Sequence, residues 1–529
     1  MGREYDDNQS LQQKIMDGAN KLADNVASTL GPRGRNVLLQ EKGRTPFITK
    51  DGVTVAQFVS MADPFENAGA EIIKQAAIET NNTAGDGTTT STVLARAILR
   101  ESQRFLASGL SPVEIQRGIE LTVREVAFNL REMAQPVTSI EDIEHVATIS
   151  ANNDRNIGKL IAMAFDRVGQ DGSITIEESR TADTVLDVTE GFSFDSGYSA
   201  GAFITDERRA VMHHDEPLIL VTDQKIGTVE QILPALEMVA REGRPLVVVA
   251  DDIEGQALAA LIMNAMRGTM KVAAIKAPAY GEERRNTLSD LALSVGATFI
   301  SRESGKKLVD VQMVDFGTSK FVESTKSSTI FVGGNADVEA IELKIDSLKS
   351  EIEATDELEA CDIIQKRIVR LASGVAVIRV GGATEVEMTE KKHRIEDALE
   401  AVRAAQDSGI VPGGGASLLR ASESICVTTE DEVSANDLAA GMAVIKAACH
   451  EPIRQMATNA GHSPDLIVDK VLSSESGHGW DFRSNKLTNL LEDGIIDPVK
   501  VTLSALRNAA SCAGTLITTN YGIIQTEDK

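Results

Sequence analysis

Apolar spacing changes its period twice along the chain, from helical to α/β and back, and this excludes any fold built as one uniform layer. Leu11, Ile15, Ala19, Leu22, Val26 and Leu30 recur at threes and fours, one face of a helix ended by Gly31-Pro32. Short β-compatible pieces follow at 36–40 and 46–49, and Lys50-Asp51-Gly52 reads as a turn before the β-branched run Val53-Thr54-Val55. Ala-rich helical stretches then run from about residue 66 to 131, broken at 81–87 and 109–112. After short helices and strands at 174–176 and 185–188, the pattern over about 216–276 becomes βαβαβ. Strands at 218–222, 246–250 and 272–276 alternate there with helices near 228–240 and 254–267, predicting a parallel sheet. Residues 338–371 predict two antiparallel helices around Ala354-Thr355-Asp356, with a short coiled coil as the other reading. A strand at 374–378 and a helix at 390–408 lead into a mainly helical remainder.

With 529 residues there is room for about three or four domains. Aromatic residues are only 4% and Trp480 is the sole tryptophan, so the core must come from Ala, Val, Ile and Leu on many helices. Lys+Arg number 53 against 79 Asp+Glu, a net charge of −26 that repels phosphate backbones and anionic lipid, which argues against nucleic acid and membrane as partners. Cys361, Cys426, Cys449 and Cys512 are far apart with no CxxC, giving neither a disulfide framework nor a zinc site. No span-length apolar segment or leader-like start is present, and the expected location is cytoplasmic.

The sharpest local signal is Gly85-Asp86-Gly87-Thr88-Thr89-Thr90 running into a periodic helix. Backbone N–H groups and threonine hydroxyls at a helix start suit an anion. Asp86 would repel phosphate unless a divalent cation lay between them, and Mg²⁺ held by one carboxylate plus phosphate oxygens meets that need. An ordinary capped helix start uses the same residues, and the hexapeptide alone does not separate the two. Gly31-Pro32-Arg33-Gly34 and Pro412-Gly413-Gly414-Gly415 are further glycine turns, but neither GxxxxGK[ST] nor a correctly placed GxGxxG occurs. Helices 228–240 and 254–267 carry Leu233, Met263 and Met266 beyond the stripe a sheet requires. Either a third layer covers them or they form an exposed patch for apolar partners.

The motifs TLGPRGRNV (29–37), ITKDGVTVA (48–56), AGDGTTT (84–90), ATEVEMTEKKHRIEDAL (383–399), PGGG (412–415) and IIDPVKVT (495–502) stand in the order found in group I chaperonins. Over essentially its whole length the chain resembles a divergent member of that family. The resemblance implies a mainly helical α+β multidomain fold. Its parts would be a discontinuous helical equatorial domain (1–135 and 409–529), a small α/β intermediate domain (136–190 and 375–408) and an apical α/β substrate-binding domain (191–374). Gly191 and Gly374 match an upper hinge, Pro136 and Gly409 a lower one.

The implied activity is ATP hydrolysis coupled to protein folding, in homo-oligomeric seven-membered rings, one or two, with or without a lid co-chaperonin. ATP, Mg²⁺ and K⁺ are the implied cofactors and non-native polypeptides the partners. Carried over by motif, Thr29, Leu30, Gly31 and Pro32 resemble a phosphate-contacting loop. Lys50 and Asp51 lie beside the γ-phosphate, and the backbone of Thr29 and Lys50 matches a monovalent-cation position. Asp86 would hold Mg²⁺, with Gly87, Thr88, Thr89 and Thr90 donating to phosphate. Asp397, and with it Asp51, falls at the catalytic positions, Asp397 orienting or deprotonating the attacking water. Gly414 and Asp497 match adenosine-side contacts. Tyr198, Phe203, Leu233, Leu236, Leu258, Ile262 and Met263 occupy positions of the apical substrate patch.

Some positions depart from the family pattern. Asp481, Phe482 and Arg483 replace small or amide residues near adenine, Ala202 an apical aromatic, and Ser196 an ion-pairing arginine. His462-Ser463 replaces an acidic ring-contact pair opposite Arg454, and Gln525-Thr526-Glu527-Asp528-Lys529 lacks a Gly-Gly-Met tail, implying a more open cavity floor. These departures motivate an alternative, a holding or structural ring with little productive ATPase cycle. A small-molecule phosphotransferase would use the same Mg-phosphate loop.

Overall fold

Where the sequence places a side-chain acceptor ahead of an apolar-periodic run, a helix starts. Asp63 caps Pro64–Ala84 and Ser111 caps Pro112–Glu132, each through backbone N–H groups of the first turn and each followed by proline at the first helical position. The computed structural model describes the chain except residues 1, 42, 44–45, 170–172, 180, 190, 208, 336–337, 354–357, 373, 426–434 and 527–529. The expected turn at 354–356, Cys426 and the last three residues thus lie outside the described residues. The fold is mainly helical with mixed sheets, as expected. It divides into one unit of residues 1–163, 180–182 and 381–529 and a second of residues 164–179 and 183–380.

The first unit is a helical bundle. Helices Asn8–Ala27, Pro64–Ala84, Thr88–Ala107, Pro112–Glu132, Ala435–Asn459 and Val499–Ile517 pack around Leu22, Val26, Leu94, Ile98, Ile119, Val444 and Leu506. With few aromatics to fill space, helices must approach closely. At the crossing of Pro112–Glu132 with Ala435–Asn459, a Cβ on Gly118 would stand 2.7 Å from the Leu438 carbonyl, and one on Gly441 would stand 2.6 Å from that of Ile115. Among the described residues, four two-stranded ribbons decorate this bundle, one of them Gly2–Asp7 paired antiparallel with Tyr521–Thr526. The sequence pattern predicts no strand at either place.

A second difference is at Val53-Thr54-Val55. These residues lie in a short helix, Gly52–Phe58, although β-branched side chains favour strands. The Asp51 carboxylate decides the outcome by accepting from the N–H groups of Val53 (3.1 Å) and Thr54 (3.2 Å) and from the Thr54 hydroxyl (2.5 Å).

In the second unit, strands Leu218–Val221, Leu246–Ala250 and Val272–Lys276 are parallel and buried except at Lys276, matching their apolar runs. The sheet continues antiparallel through Gly317–Ser324, Thr329–Gly334 and Gly191–Phe194, with Met212–Asp215 on a branch. Helices Val338–Glu353 and Leu358–Ala372 pack on each other and on Gly281–Val295. A smaller sheet joins Ile174–Glu178, Val375–Val380 and Val185–Thr189.

His214 on the branch strand is buried, and among the described residues its Nε2 has no hydrogen-bond partner. Burial, then the charges of His213 and Lys271, lower its pKa to about 4. Unfolded, the ring titrates near 6.5, so unfolding takes up a proton between those values. Stability is therefore complete above the unfolded pKa and falls as pH drops toward 4. In a series of melting curves from pH 7 to 4.5, His214→Gln is expected to flatten this decline. Parallel curves for the two proteins would exclude His214 as its source.

Candidate functional site

The turn after the Pro64–Ala84 helix builds the floor of a cavity in the first unit. Gly85 and Gly87 both take positive φ (+70° and +88°), and Gly87 sits at the cap of Thr88–Ala107, so no side chain blocks that helix start. Opposite stands the capped turn of Asp51. A Cβ on Gly52 would lie 2.3 Å from Thr89 Oγ1, so only glycine permits this approach. Thr29 Oγ1 and Thr89 Oγ1 are 3.3 Å apart, and Lys50 Nζ donates to the Gly31 carbonyl at 3.0 Å.

The cavity holds about 270 Å³. Thr29, Leu30, Gly31, Pro32, Lys50, Asp51, Asp86, Gly87, Thr88, Thr89, Thr90, Asp397, Gly414 and Asp497 all line it, brought together from six separate motifs. Burial raises the Asp86 pKa, with Asp51's charge adding to the effect. The Gly87 N–H and the Ser150 hydroxyl, donating at 2.8 Å to Oδ2, work against it. Asp497 is pushed up to about 7 by burial and by the charge of Asp86. Burial and the Arg394 charge lower the Lys50 pKa. These carboxylates therefore resist carrying their charges so close together without a cation. Among the described residues no three His, Cys, Asp or Glu side chains form an all-protein metal site. A divalent cation here would draw most of its oxygens from a ligand or water, as Mg²⁺ commonly does.

Asp397 is half-buried on the helix Glu385–Ser408 and lines the cavity wall with Glu390, His393 and Arg394. Arg394 bonds Glu390 (2.6 Å) and Asp154 (3.3 Å). Sequence reasoning missed Ser150, Asn152 and Asn153. The two asparagines line the cavity with φ of 57° and 65°, and an Asn-Asn pair after a helix is the signal that tolerates such backbone.

At the far end, the ribbon His478–Asp481 with Lys486–Asn489 brings Trp480, Asp481, Phe482 and Arg483 to the cavity. Asp481 spends its carboxylate on its own turn, accepting from the N–H groups of Arg483 (2.8 Å) and Ser484 (3.2 Å) and from the Ser484 hydroxyl. Phe482 is buried beside Met456 and Trp480. His462 turns inward to Asn485 (2.8 Å) and the Trp480 ring, while Arg454 pairs with Asp465 at 2.5 Å.

A protein-family model described as TCP-1/cpn60 chaperonin matches residues 22–527. The chain belongs to that chaperonin family. Two crystal forms of the chaperonin gp146 from bacteriophage EL 2 (Pseudomonas aeruginosa), solved in the presence of ATP-BeFx, align with this chaperonin over 99% of both chains at 22% identity. Their TM-scores are 0.68 and 0.61. Among the described residues of this chaperonin, no helix is long and apolar enough to cross a membrane.

In the second unit of the chaperonin, Leu233 and Met263 are 43% and 46% exposed on two neighbouring helices, Val229–Glu242 and Gly255–Arg267. Tyr198, Leu258 and Ile262 are half-buried against the core. Phe203 and Leu236, by contrast, are core residues at 2% and 6% exposure, which corrects the expectation that they line a surface patch. Leu236 shares the inward stripe of Ile232, Ala235 and Val239, and Phe203 closes a single 3₁₀ turn against the Gly255–Arg267 helix.

Proposed function

We propose that this chain is an ATP-driven folding chaperonin, a divergent relative of the group I type, that captures non-native polypeptide on the second unit and releases it into a ring cavity on ATP binding and hydrolysis. The observation carrying this reading is the convergence of residues from all six motifs on one cavity, where acidic groups of raised pKa face an unblocked helix start.

In this reading Thr29 to Pro32 and Gly87 to Thr90 receive the phosphates, Asp86 holds Mg²⁺, and the backbone of Thr29 and Lys50 holds K⁺. Gly414 and Asp497 contact the adenosine side. Mg²⁺, when bound, neutralises charge developing on the transferred phosphoryl group. Lys50 adds positive charge near the γ-phosphate, Asp51 fixes the turn beside it, and Asp397 orients the attacking water. The residues 136–190 and 375–408 act as the intermediate domain that transmits closure, with 191–374 as the apical domain. A ring of seven 56.6-kDa chains would weigh about 400 kDa and two rings about 800 kDa. The ring cavity of this scheme works with or without a lid co-chaperonin, and the compartment is the cytoplasm.

Leu233 and Met263, joined by Met266 at 72% exposure, supply the apolar capture surface, with Leu258, Ile262 and Tyr198 behind them. Each side chain is worth at most about 1.5–3 kcal/mol when fully buried, so several copies around a ring give affinity without sequence specificity. The test is capture of a chemically denatured protein, read with phosphate release and light-scattering mass from the same sample. Capture without nucleotide, release on Mg-ATP and a ring-sized mass are expected. Leu233→Ser and Leu258→Ser should weaken capture while sparing hydrolysis. Equal capture by both variants would remove the patch from the mechanism, and a monomer without ATPase activity would sink the whole reading.

A further inference from the structure

The phosphate-facing loop starts from an electrostatically unfavourable place. Thr29 to Pro32 leave the C-terminal end of the Asn8–Ala27 helix, where the negative pole of the helix dipole repels anions. The turn gives the Ala27 and Gly31 carbonyls one N–H each, from Leu30 (3.2 Å) and Gly34 (3.0 Å), which leaves their second lone pairs and the Leu30 carbonyl to be met. A polyanion can sit there only if those carbonyls are covered. Lys50 covers Gly31. Asn459, the last residue of the Ala435–Asn459 helix, covers two more, its Nδ2 donating to the carbonyls of Ala27 and Leu30, both at 2.9 Å.

The direction of this amide is fixed from both sides. Arg96 pairs with Asp24 at 2.7 Å and, having only donors, must meet Gln455 through its Oε1 (3.3 Å). Gln455 Nε2 then faces Asn459 Oδ1 at 3.0 Å, which leaves Nδ2 for the two carbonyls. Carbonyl oxygens only accept, so the other end of the relay demands the same orientation. Asp24, Arg96, Gln455 and Asn459 thus form a relay behind the loop, and Asn459 itself does not line the cavity.

We infer that Asn459 is a positioning residue for the phosphate end of the nucleotide. By covering two carbonyls it lets a helix C-terminus face a polyanion, and it acts only through the loop. This rests on the nucleotide reading given above. Its signature is selectivity for phosphate: removing the amide harms ATP and leaves the uncharged nucleoside untouched.

The experiment uses the full chain with Asn459→Leu, which removes both donors at similar volume, and Asn459→Asp, which keeps the shape but turns acceptors toward the carbonyls. KM for ATP and the inhibition constant of adenosine against ATP hydrolysis are measured for each. The expected result is a rise in KM of about tenfold for the leucine variant and more for the aspartate, with kcat within about threefold and the adenosine constant unchanged. Equal losses for ATP and adenosine would mean a merely structural role and overturn the inference, as would an unchanged KM. Should both variants fail to fold, Gln455→Leu frees the amide without removing it and must shift KM in the same direction, or the inference falls. A wild-type chain that neither binds nor hydrolyses ATP would overturn the nucleotide reading itself, a distinguishable failure.

Discussion

Asp397→Ala should lower kcat for ATP hydrolysis by about a hundredfold while leaving ATP affinity within a few-fold of wild type. The split follows from where the groups come from. The loops lining the cavity at Thr29 to Pro32, Gly87 to Thr90 and Gly414 are backbone-rich and arise from elements other than the Glu385–Ser408 helix, so they survive the substitution intact. Asp397 adds a carboxylate at the opposite wall, beside Glu390, His393 and Arg394. Orienting and deprotonating water typically contributes 10²–10⁴-fold, so about a hundredfold, roughly 2.7 kcal/mol of barrier, is the smallest loss expected of a residue in that role. Single-turnover phosphate release with a nucleotide-binding titration on the same preparation decides it. Unchanged turnover would remove Asp397 from the mechanism. A loss of binding equal to the loss of rate would make it a ligand contact instead.

The site was far more legible than the surfaces around it, for a physical reason. Phosphate-binding turns need glycine at positive φ, a short capping acid and hydroxyls at a helix start, and few residue types meet those demands. Gly87 and Thr88 therefore announce themselves. Ser150 does not, because its hydroxyl reaches Asp86 from 64 residues away and nothing local marks it.

Secondary structure was legible where one periodic stripe dominates and illegible where a single contact decides. Asp51 overrides the β preference of Val53 to Val55. The polar run Gly2–Asp7 becomes a strand only because Tyr521–Thr526 lies beside it. The helix Val229–Glu242 is instructive because two arguments met there. Its three-four spacing put Leu236 toward the sheet and left Leu233 over, whereas the motif resemblance gathered both into one patch. The structure buries Leu236 and exposes Leu233, as the spacing required.

The same dependence on distant partners sets the second large effect, in the other unit. Arg367 on the Leu358–Ala372 helix grips Asp290 on Gly281–Val295 through two bonds, Nε to Oδ2 at 2.8 Å and Nη2 to Oδ1 at 2.9 Å, with both side chains buried. Truncating one partner strands the other's charge in the core, and Asp290→Ala should destabilise this unit by about 3–5 kcal/mol. Losing both charges is a different case. Asp290→Leu combined with Arg367→Met replaces the pair by apolar groups and should restore most of the loss, giving a coupling well above 1 kcal/mol between two residues in direct contact. In denaturant curves far-UV circular dichroism sums the backbone of both units, while emission from Trp480, the only tryptophan, follows the first unit, so the part of the dichroism lost before the emission changes reports the second unit. For Asp290→Ala the dichroism is expected to fall at lower denaturant than the Trp480 signal, and in the double variant the two should draw together again. A single variant as stable as wild type would mean that water reaches Arg367 once its partner is gone. A double variant no better than the single would mean that the helix contact depends on the ion pair's geometry rather than on the absence of an unpaired charge.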